Sequence, residues 1–200
     1  MNEHYFTKQP TTAANKQTFS TTLRGRKFLF TTDAGVFSRQ EIDYGSRLLI
    51  ETMSIAPTAH VLDVGCGYGS VGIVAATIAC HGMATLIDIN ERAVQLAQEN
   101  AERNQIHNVR IMQSDLFDSL SAEKFDTIVT NPPIRAGKEI VHRIFADAYV
   151  HLHPGGSLWV VIQKKQGSPS AYNKLQSIFG HVREVCKDKG YRIFEAIKQN

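Results

Sequence analysis

The chain has 200 residues, 42% apolar and 20% charged, with a formal net charge of +3; this is an ordinary globular composition, long enough for one larger domain around a buried central sheet. Its three cysteines, Cys66, Cys80 and Cys186, are odd in number, widely spaced and without a C-x-x-C pair, which excludes a disulfide framework and a zinc site, so no metal is expected. The longest apolar run, around Val71 to Cys80, is well short of the roughly 20 residues that span a bilayer, and Met1 to Phe6 carry no apolar signal core, so a cytoplasmic protein without a membrane partner is expected.

Charge is unevenly spread: +2 over residues 1–56, −4 over 57–163 and +5 over 164–200. An acidic middle with basic flanks fits a catalytic core whose rim meets nucleic acid, and equally a set of solvated surface lysines. Residues 1–20 are polar and interrupted by Pro10. Thr18 to Leu23 and Lys27 to Thr32 have strand composition on either side of Arg24-Gly25-Arg26, predicting a small hairpin. A loop with the apolar pair Val36-Phe37 follows. Ser38 and Glu41 have capping-box spacing, which predicts a helix to about Met53 with a break near Gly45. Pro57 then separates an amino-terminal extension, residues 1–56, from a core over residues 57–200; the chain is expected to form a single domain.

In the core, strands and helices alternate. His60 to Leu62 leads through Asp63 into Gly65, Gly67 and Gly69 and then an apolar helix from Val71, a strand–glycine turn–helix unit. Ala84 to Asp88 reads as a second strand, followed by a helix from Asn90 to about Asn104. Asn108 to Gln113 is a third strand, ending at Ser114-Asp115. Phe125 to Thr130 is a fourth, running into Asn131-Pro132-Pro133. A helix from Lys138 to about Leu152 is ended by Pro154-Gly155-Gly156, which releases a fifth strand, Ser157 to Ile162. A weaker helix, Ala171 to Phe179, precedes Val182 to Lys187 and Tyr191 to Ile197, a hairpin about Asp188-Lys189-Gly190. Repeated βα units imply a mainly parallel α/β sheet with helices on both faces and an antiparallel carboxyl-terminal hairpin. Ligands of such sheets gather at the carboxyl ends of the strands, where Asp63, Asp88, Asp115 and Asn131 are expected.

Asp88, 25 residues after Asp63, is placed to accept hydrogen bonds from two ribose hydroxyls. That placement also fits NAD, and Gly67-x-Gly69-x-x-Gly72 matches the dinucleotide pattern. The glycines that close the strand are Gly65 and Gly67, however, and in that register Ser70 takes the third glycine position. Asp63 would also repel a pyrophosphate. A cationic or zwitterionic ligand suits it better.

Together, Asp63-x-Gly65-x-Gly67-x-Gly69, Asp88, Asp115 and Asn131-Pro132-Pro133 resemble a class I S-adenosylmethionine-dependent methyltransferase, with its Rossmann-like sheet. The resemblance implies that Asp63 and the glycine loop face the methionine part of the cofactor. It implies that Asp88, with Ile89, binds the ribose and that Asp115, with Leu116, meets the adenine. Each acid taken singly is also compatible with a helix cap. Asn131 and Pro132 suit an amino acceptor. A conjugated amine is a poor nucleophile because its lone pair is delocalised, and the Asn131 side-chain oxygen and Pro132 carbonyl can accept from its N–H groups. Both prolines lack donors that would misdirect the group. Methyl transfer is then direct displacement, driven mostly by positioning, with Asn131 next to cofactor and acceptor alike.

Four segments are similar to the guanine-N2 methyltransferases of small-subunit ribosomal RNA: Gly35 to Ser38, Ile42-Asp43-x-Gly45-Ser46, Asn131 to Lys138, and Leu152 to Trp159. This resemblance implies ribosomal RNA or the small ribosomal subunit as partner, met by Phe37, Pro133, Ile134, Arg135 and Lys138. Phe37 suits stacking or cofactor cover, and equally a core anchor. Many amino-methylating enzymes have an aromatic residue where Ile134 stands, to stack on a flipped base; Ile134 offers apolar contact alone. His142, Arg143, Lys164 and Lys165 are further candidates for phosphate contact, or simply solvated charges. The rival readings are an enzyme for adenine N6 or a protein glutamine, and an RNA-binding module without turnover, against which the intact Asp88, Asp115 and Asn131 argue.

Overall fold

The computed structural model describes residue 13, residues 15–36 and residues 41–199. Phe37, and Ser38 of the expected capping box, lie outside the described residues. The strands β1 (Gln17–Leu23) and β2 (Arg26–Thr32) form the expected antiparallel hairpin, with Leu23 opposite Arg26. The helix α1 (Tyr44–Thr52) starts later than the capping-box spacing predicts. Asp43 is its cap, accepting from Ser46 N at 3.0 Å, and Gly45 sits inside the first turn without breaking it. The core then runs β3 (His60–Val64), α2 (Ser70–Ile78), β4 (Met83–Asp88), α3 (Glu91–Arg103), β5 (Val109–Gln113) and β6 (Phe125–Thr130). It continues with α4 (Lys138–His151), β7 (Leu152–Gln163), α5 (Ser168–Phe179), β8 (His181–Asp188) and β9 (Tyr191–Ile197).

The seven core strands lie in the order β5-β4-β3-β6-β7-β9-β8. The first five are mutually parallel, and β9 runs antiparallel to both neighbours. The chain runs outward from β3 to β5 and then, in the other direction, from β6 to β7, through parallel crossovers of the kind that are right-handed as a rule. The sheet is apolar on both faces. Along β7, Trp159 and Val161 pack with α1, α2, α3 and the hairpin, whereas Leu158, Val160 and Ile162 pack with α4 and α5. This period of two puts a buried layer on each side of the sheet.

Two elements depart from their expected bounds. The strand β7 begins directly after α4 rather than at Ser157: Leu152 pairs with Phe125, and the ladder resumes at Ser157 opposite Thr127. Pro154-Gly155-Gly156 is therefore a bulge within the strand. It is pinned by Gly155 N to Lys198 O at 2.8 Å and Lys198 N to Gly156 O at 2.9 Å. The helix α5 starts at Ser168, before the expected Ala171, because proline is tolerated in a first turn, where its missing N–H would have no helical partner.

The amino-terminal hairpin is outside the main sheet and is held by side chains of α3. Asn100 Oδ1 accepts from Thr31 N at 2.7 Å, and its Nδ2 donates to Thr31 O at 2.8 Å and Tyr68 O at 2.9 Å. One turn later Asn104 repeats the exchange with Leu29, at 2.9 Å in both directions. Two asparagines thus stand in for a neighbouring strand along β2.

Candidate active site

At the reversal of strand order between β3 and β6, the carboxyl ends of the parallel strands surround a cavity of about 720 Å³. Its size is that of a small-molecule site. Thr130 Oγ1 donates to Val64 O at 2.9 Å across this point, so the ends of β6 and β3 are tied together.

Gly65 and Gly67 have φ of +73° and +55°, and a Cβ at either would meet nothing within 4 Å. Bare backbone in a conformation that side chains rarely adopt therefore faces the cavity. Gly69 is placed differently. It is the cap of α2, packed against Ile73 and Ala97, and does not line the cavity. At Gly72 a Cβ would stand 2.4 Å from Leu86 Cγ, so this glycine serves the close approach of α2 to β4.

Asp63 lines the cavity but is 1% exposed, and its Oδ2 accepts from Gly72 N at 2.8 Å. Burial pushes its carboxyl up to about 7; the Gly72 N–H opposes this and the Asp88 charge reinforces it. Asp88 is half-buried, with Oδ2 2.8 Å from Gly67 N and Oδ1 2.9 Å from Asn90 N. Burial pushes it up to about 6 against the N–H groups of Asn90, Gly67 and Ile89. A carboxylate has about four acceptor positions, so Asp88 retains capacity for ligand hydroxyls. Ile89 borders the same space. Asp115 and Leu116 are half-buried and border the same cavity. Ser114 Oγ shapes that loop, donating to Leu116 O at 2.7 Å and accepting from Ser119 N at 3.1 Å. The Cys66 thiol is pushed well above its ordinary value, first by burial and then by Asp88 and Asp63, which suits a packing role.

Asn131, Pro132, Pro133, Ile134 and Arg135 border the cavity beyond β6. Asn131 Nδ2 donates to Asp43 Oδ1 at 3.3 Å and to Ser46 Oγ at 3.0 Å. Pro133, with φ −74° and ψ 80°, forms an inverse γ-turn in which Ile134 N donates to Pro132 O at 2.8 Å. That carbonyl has two lone pairs, so it can take one further donor. Lys138 is not on the cavity. It borders a smaller hollow of about 130 Å³ between α4 and α5, which shares Ile134 and Gln166 with the larger one. There the His142 imidazole is lowered by burial and then by the charges of Lys138 and Lys174. Arg143 points elsewhere, pairing with Asp118 at 2.7 Å and Asp147 at 3.3 Å.

Sequence reasoning assigned no role to Asp43, Ser46, Gln166 or Tyr191, all of which border the cavity. Asp43 and Ser46 lay within a segment noted for its similarity, which was a usable signal; Tyr191 and Gln166 carried none. The Tyr191 ring packs on Gly45 and lies 5.7 Å from the Tyr44 ring, so β9 brings one aromatic side chain to the cavity, beside the start of α1. Among the described residues there is no group of three or more His, Cys, Asp or Glu suited to a metal ion, and no helix long and apolar enough to cross a membrane.

Residues 27–195 match the family Methyltransferase small domain. The chain is 52% identical over 200 residues to an uncharacterised protein of Bacillus subtilis (strain 168), YbxB, covering 99% of this chain and 100% of that one. It is 32% identical over 186 residues to ribosomal RNA small subunit methyltransferase C of Vibrio cholerae serotype O1, covering 91% of this chain and 53% of that one. Among solved structures it is similar to the T. thermophilus 16S rRNA N2 G1207 methyltransferase in complex with AdoMet and guanosine. The TM-score is 0.82 at 26% identity, covering 95% of this chain and 52% of that one. The chain thus spans about half the length of these two ribosomal RNA methyltransferases.

Proposed function

The chain belongs to the methyltransferase small-domain family, and from that premise we propose that it methylates an exocyclic amino group of ribosomal RNA, guanine N2 of the small subunit. The cofactor is S-adenosylmethionine. One observation carries the reading: Asp63, Asp88 and Asp115 share a single cavity with Asn131 and Pro132. The open backbone at Gly65 and Gly67 gives a ligand room to lie against the chain. The V. cholerae and T. thermophilus relatives supply the substrate class, and the chain acts in the cytoplasm as one methyltransferase domain with residues 1–56 as an extension.

When bound, S-adenosylmethionine supplies a methyl group on a cationic sulfur. Asp63 and the Gly65–Gly67 backbone hold its methionine part, Asp88 its ribose hydroxyls and Asp115 its adenine. Asn131 Oδ1 and Pro132 O accept from the two N–H groups of the target amine. Held so, the amino nitrogen would have its lone pair localised and would be presented to a methyl donor lying against the Gly65–Gly67 backbone. Pro133 and Ile134 contact the base, while Arg135 and Lys138 meet the RNA backbone.

The test is transfer of tritiated methyl groups to RNA and particles from a strain lacking the protein, followed by nucleoside analysis. N2-methylguanosine in small-subunit RNA is the expected product. Label found only in N6-methyladenosine, or only in protein, would replace this reading by its enzymatic rivals. Cofactor binding without any transfer would favour a binding module.

A further inference from the structure

We propose that Asp43 and Ser46 are positioning residues for the methyl acceptor, holding Asn131 in the one amide orientation that presents its oxygen to the substrate. The inference rests on the assignment of Asn131 to the target amino group. An asparagine side chain has an acceptor oxygen and a donor nitrogen of nearly the same shape, and a half-turn exchanges them. For this reaction the exchange is decisive, because only the oxygen can accept from an amino N–H.

The surroundings of Asn131 choose between the two. A carboxylate has acceptors and no donor, so the side facing Asp43 must be the nitrogen. Nδ2 lies 3.3 Å from Asp43 Oδ1, 3.5 Å from Asp43 Oδ2 and 3.0 Å from Ser46 Oγ. Both N–H groups are thereby drawn toward α1. The reversed amide would set oxygen against carboxylate and lose the bonds to Asp43; the Ser46 hydroxyl, which can donate or accept, fixes the plane of the amide while Asp43 selects its orientation. Asp43 is itself fixed, since its Oδ1 also accepts from Ser46 N at 3.0 Å as the cap of α1. The start of that helix is therefore a template for an amide 88 residues further along the chain.

Asp43→Asn separates this role from helix capping. Asparagine caps helices as well as aspartate does, and its oxygen can keep the Ser46 N–H while its own NH₂ turns toward Asn131. Methyl transfer to small-subunit RNA from a strain lacking the protein is measured for Asp43→Asn, Ser46→Ala, Asn131→Ala and the double variant Asp43→Asn/Asn131→Ala. Thermal melts and cofactor calorimetry accompany each. Asp43→Asn is expected to lower kcat about 10- to 100-fold, the range of one charge-assisted hydrogen bond. KM for RNA and cofactor affinity should stay within a few-fold. In the Asn131→Ala background the same change should have no further effect, because the two residues act as a unit.

Effects that multiply in the double variant, or a loss confined to KM, would overturn the proposal. So would wild-type turnover in Asp43→Asn beside a severe loss in Asn131→Ala, which leaves the function itself standing. Wild-type turnover in Asn131→Ala would overturn both. A readout independent of turnover is the Asn131 side-chain amide signal in ¹⁵N-labelled protein, identified by its loss in Asn131→Ala. It should shift in Asp43→Asn and in Ser46→Ala, and a signal unmoved in both refutes the orientation.

Discussion

Raising the pH from 5 to 8 is expected to weaken the cofactor-free fold while strengthening cofactor binding, with Asp63 the main cause. Its carboxyl is 1% exposed and pushed up to about 7 by burial, against about 3.9 in an unfolded chain. The folded state therefore holds this proton more tightly. The stability so contributed is complete below about pH 4 and is lost as pH rises through about 7. About three units at 1.36 kcal/mol each amount to a loss of roughly 4 kcal/mol between pH 4 and pH 8, of which roughly 2.5 kcal/mol falls between pH 5 and 8. Asp88, pushed up to about 6, adds a smaller loss of the same sign. If Asp63 holds the methionine part as proposed, the positive charges of S-adenosylmethionine favour its ionised form. Binding then releases protons, and affinity climbs through the same window. Asp63→Asn keeps an oxygen for the Gly72 N–H, which Asp63 accepts at 2.8 Å, and removes the titration. Urea melts at half-unit pH steps should show the variant gaining on wild type from pH 5 to 8. Calorimetry in two buffers of different ionisation heat counts the protons released by wild type. A constant difference between variant and wild type across this range, together with pH-independent cofactor affinity, would refute the reasoning.

Asp88→Ala should weaken cofactor binding about 10- to 150-fold through loss of charged hydrogen bonds; unchanged affinity by calorimetry would count against the cofactor placement. Gly45→Ala sets a methyl 2.8 Å from Tyr191 Cε1 and 3.1 Å from Asp43 Oδ1, so the ring must move. A stability loss of about 1 kcal/mol is expected in urea melts, with a larger loss in kcat/KM for RNA. RNA binding should weaken as salt rises, and Lys138→Gln should flatten that slope while Arg143→Gln leaves it unchanged, since Arg143 is already paired with Asp118 and Asp147. Equal slopes for the two variants would remove Lys138 from the RNA contacts.

The parts of the fold that were legible in the sequence depend on short-range pattern. Alternating apolar strands and helices, and acids at strand ends, gave the sheet and the four side chains at its reversal point. The parts that were not legible are decided by distant partners. Ser38–Glu41 and Asp43–Ser46 both offer helix caps, and nothing local says that Asp43 wins; its carboxylate is also held by Asn131, 88 residues away. Pro154-Gly155-Gly156 reads as a stop, yet the strand passes through it because Lys198 supplies the missing backbone partners. Lys138 and Arg143 both follow the Asn-Pro-Pro segment within ten residues of Pro133. The helical turn between them sends one toward a hollow and the other toward two carboxylates.

The Asn100 amide gives the amino-terminal hairpin and the glycine loop a common fate. One nitrogen donates to Thr31 O in the hairpin and to Tyr68 O beside Gly67 and Gly69. If the hairpin lifts away, Thr31 N and O lose their partners, and the bond to Tyr68 O stays only if α3 keeps its place. Opening of the hairpin and loosening of the loop are in this way coupled local unfolding events. Any molecule that steadies the glycine loop should slow hydrogen exchange at the Thr31 amide, which shares the Asn100 side chain with that loop. The hairpin then reports occupancy of a site to which its own strands contribute no wall.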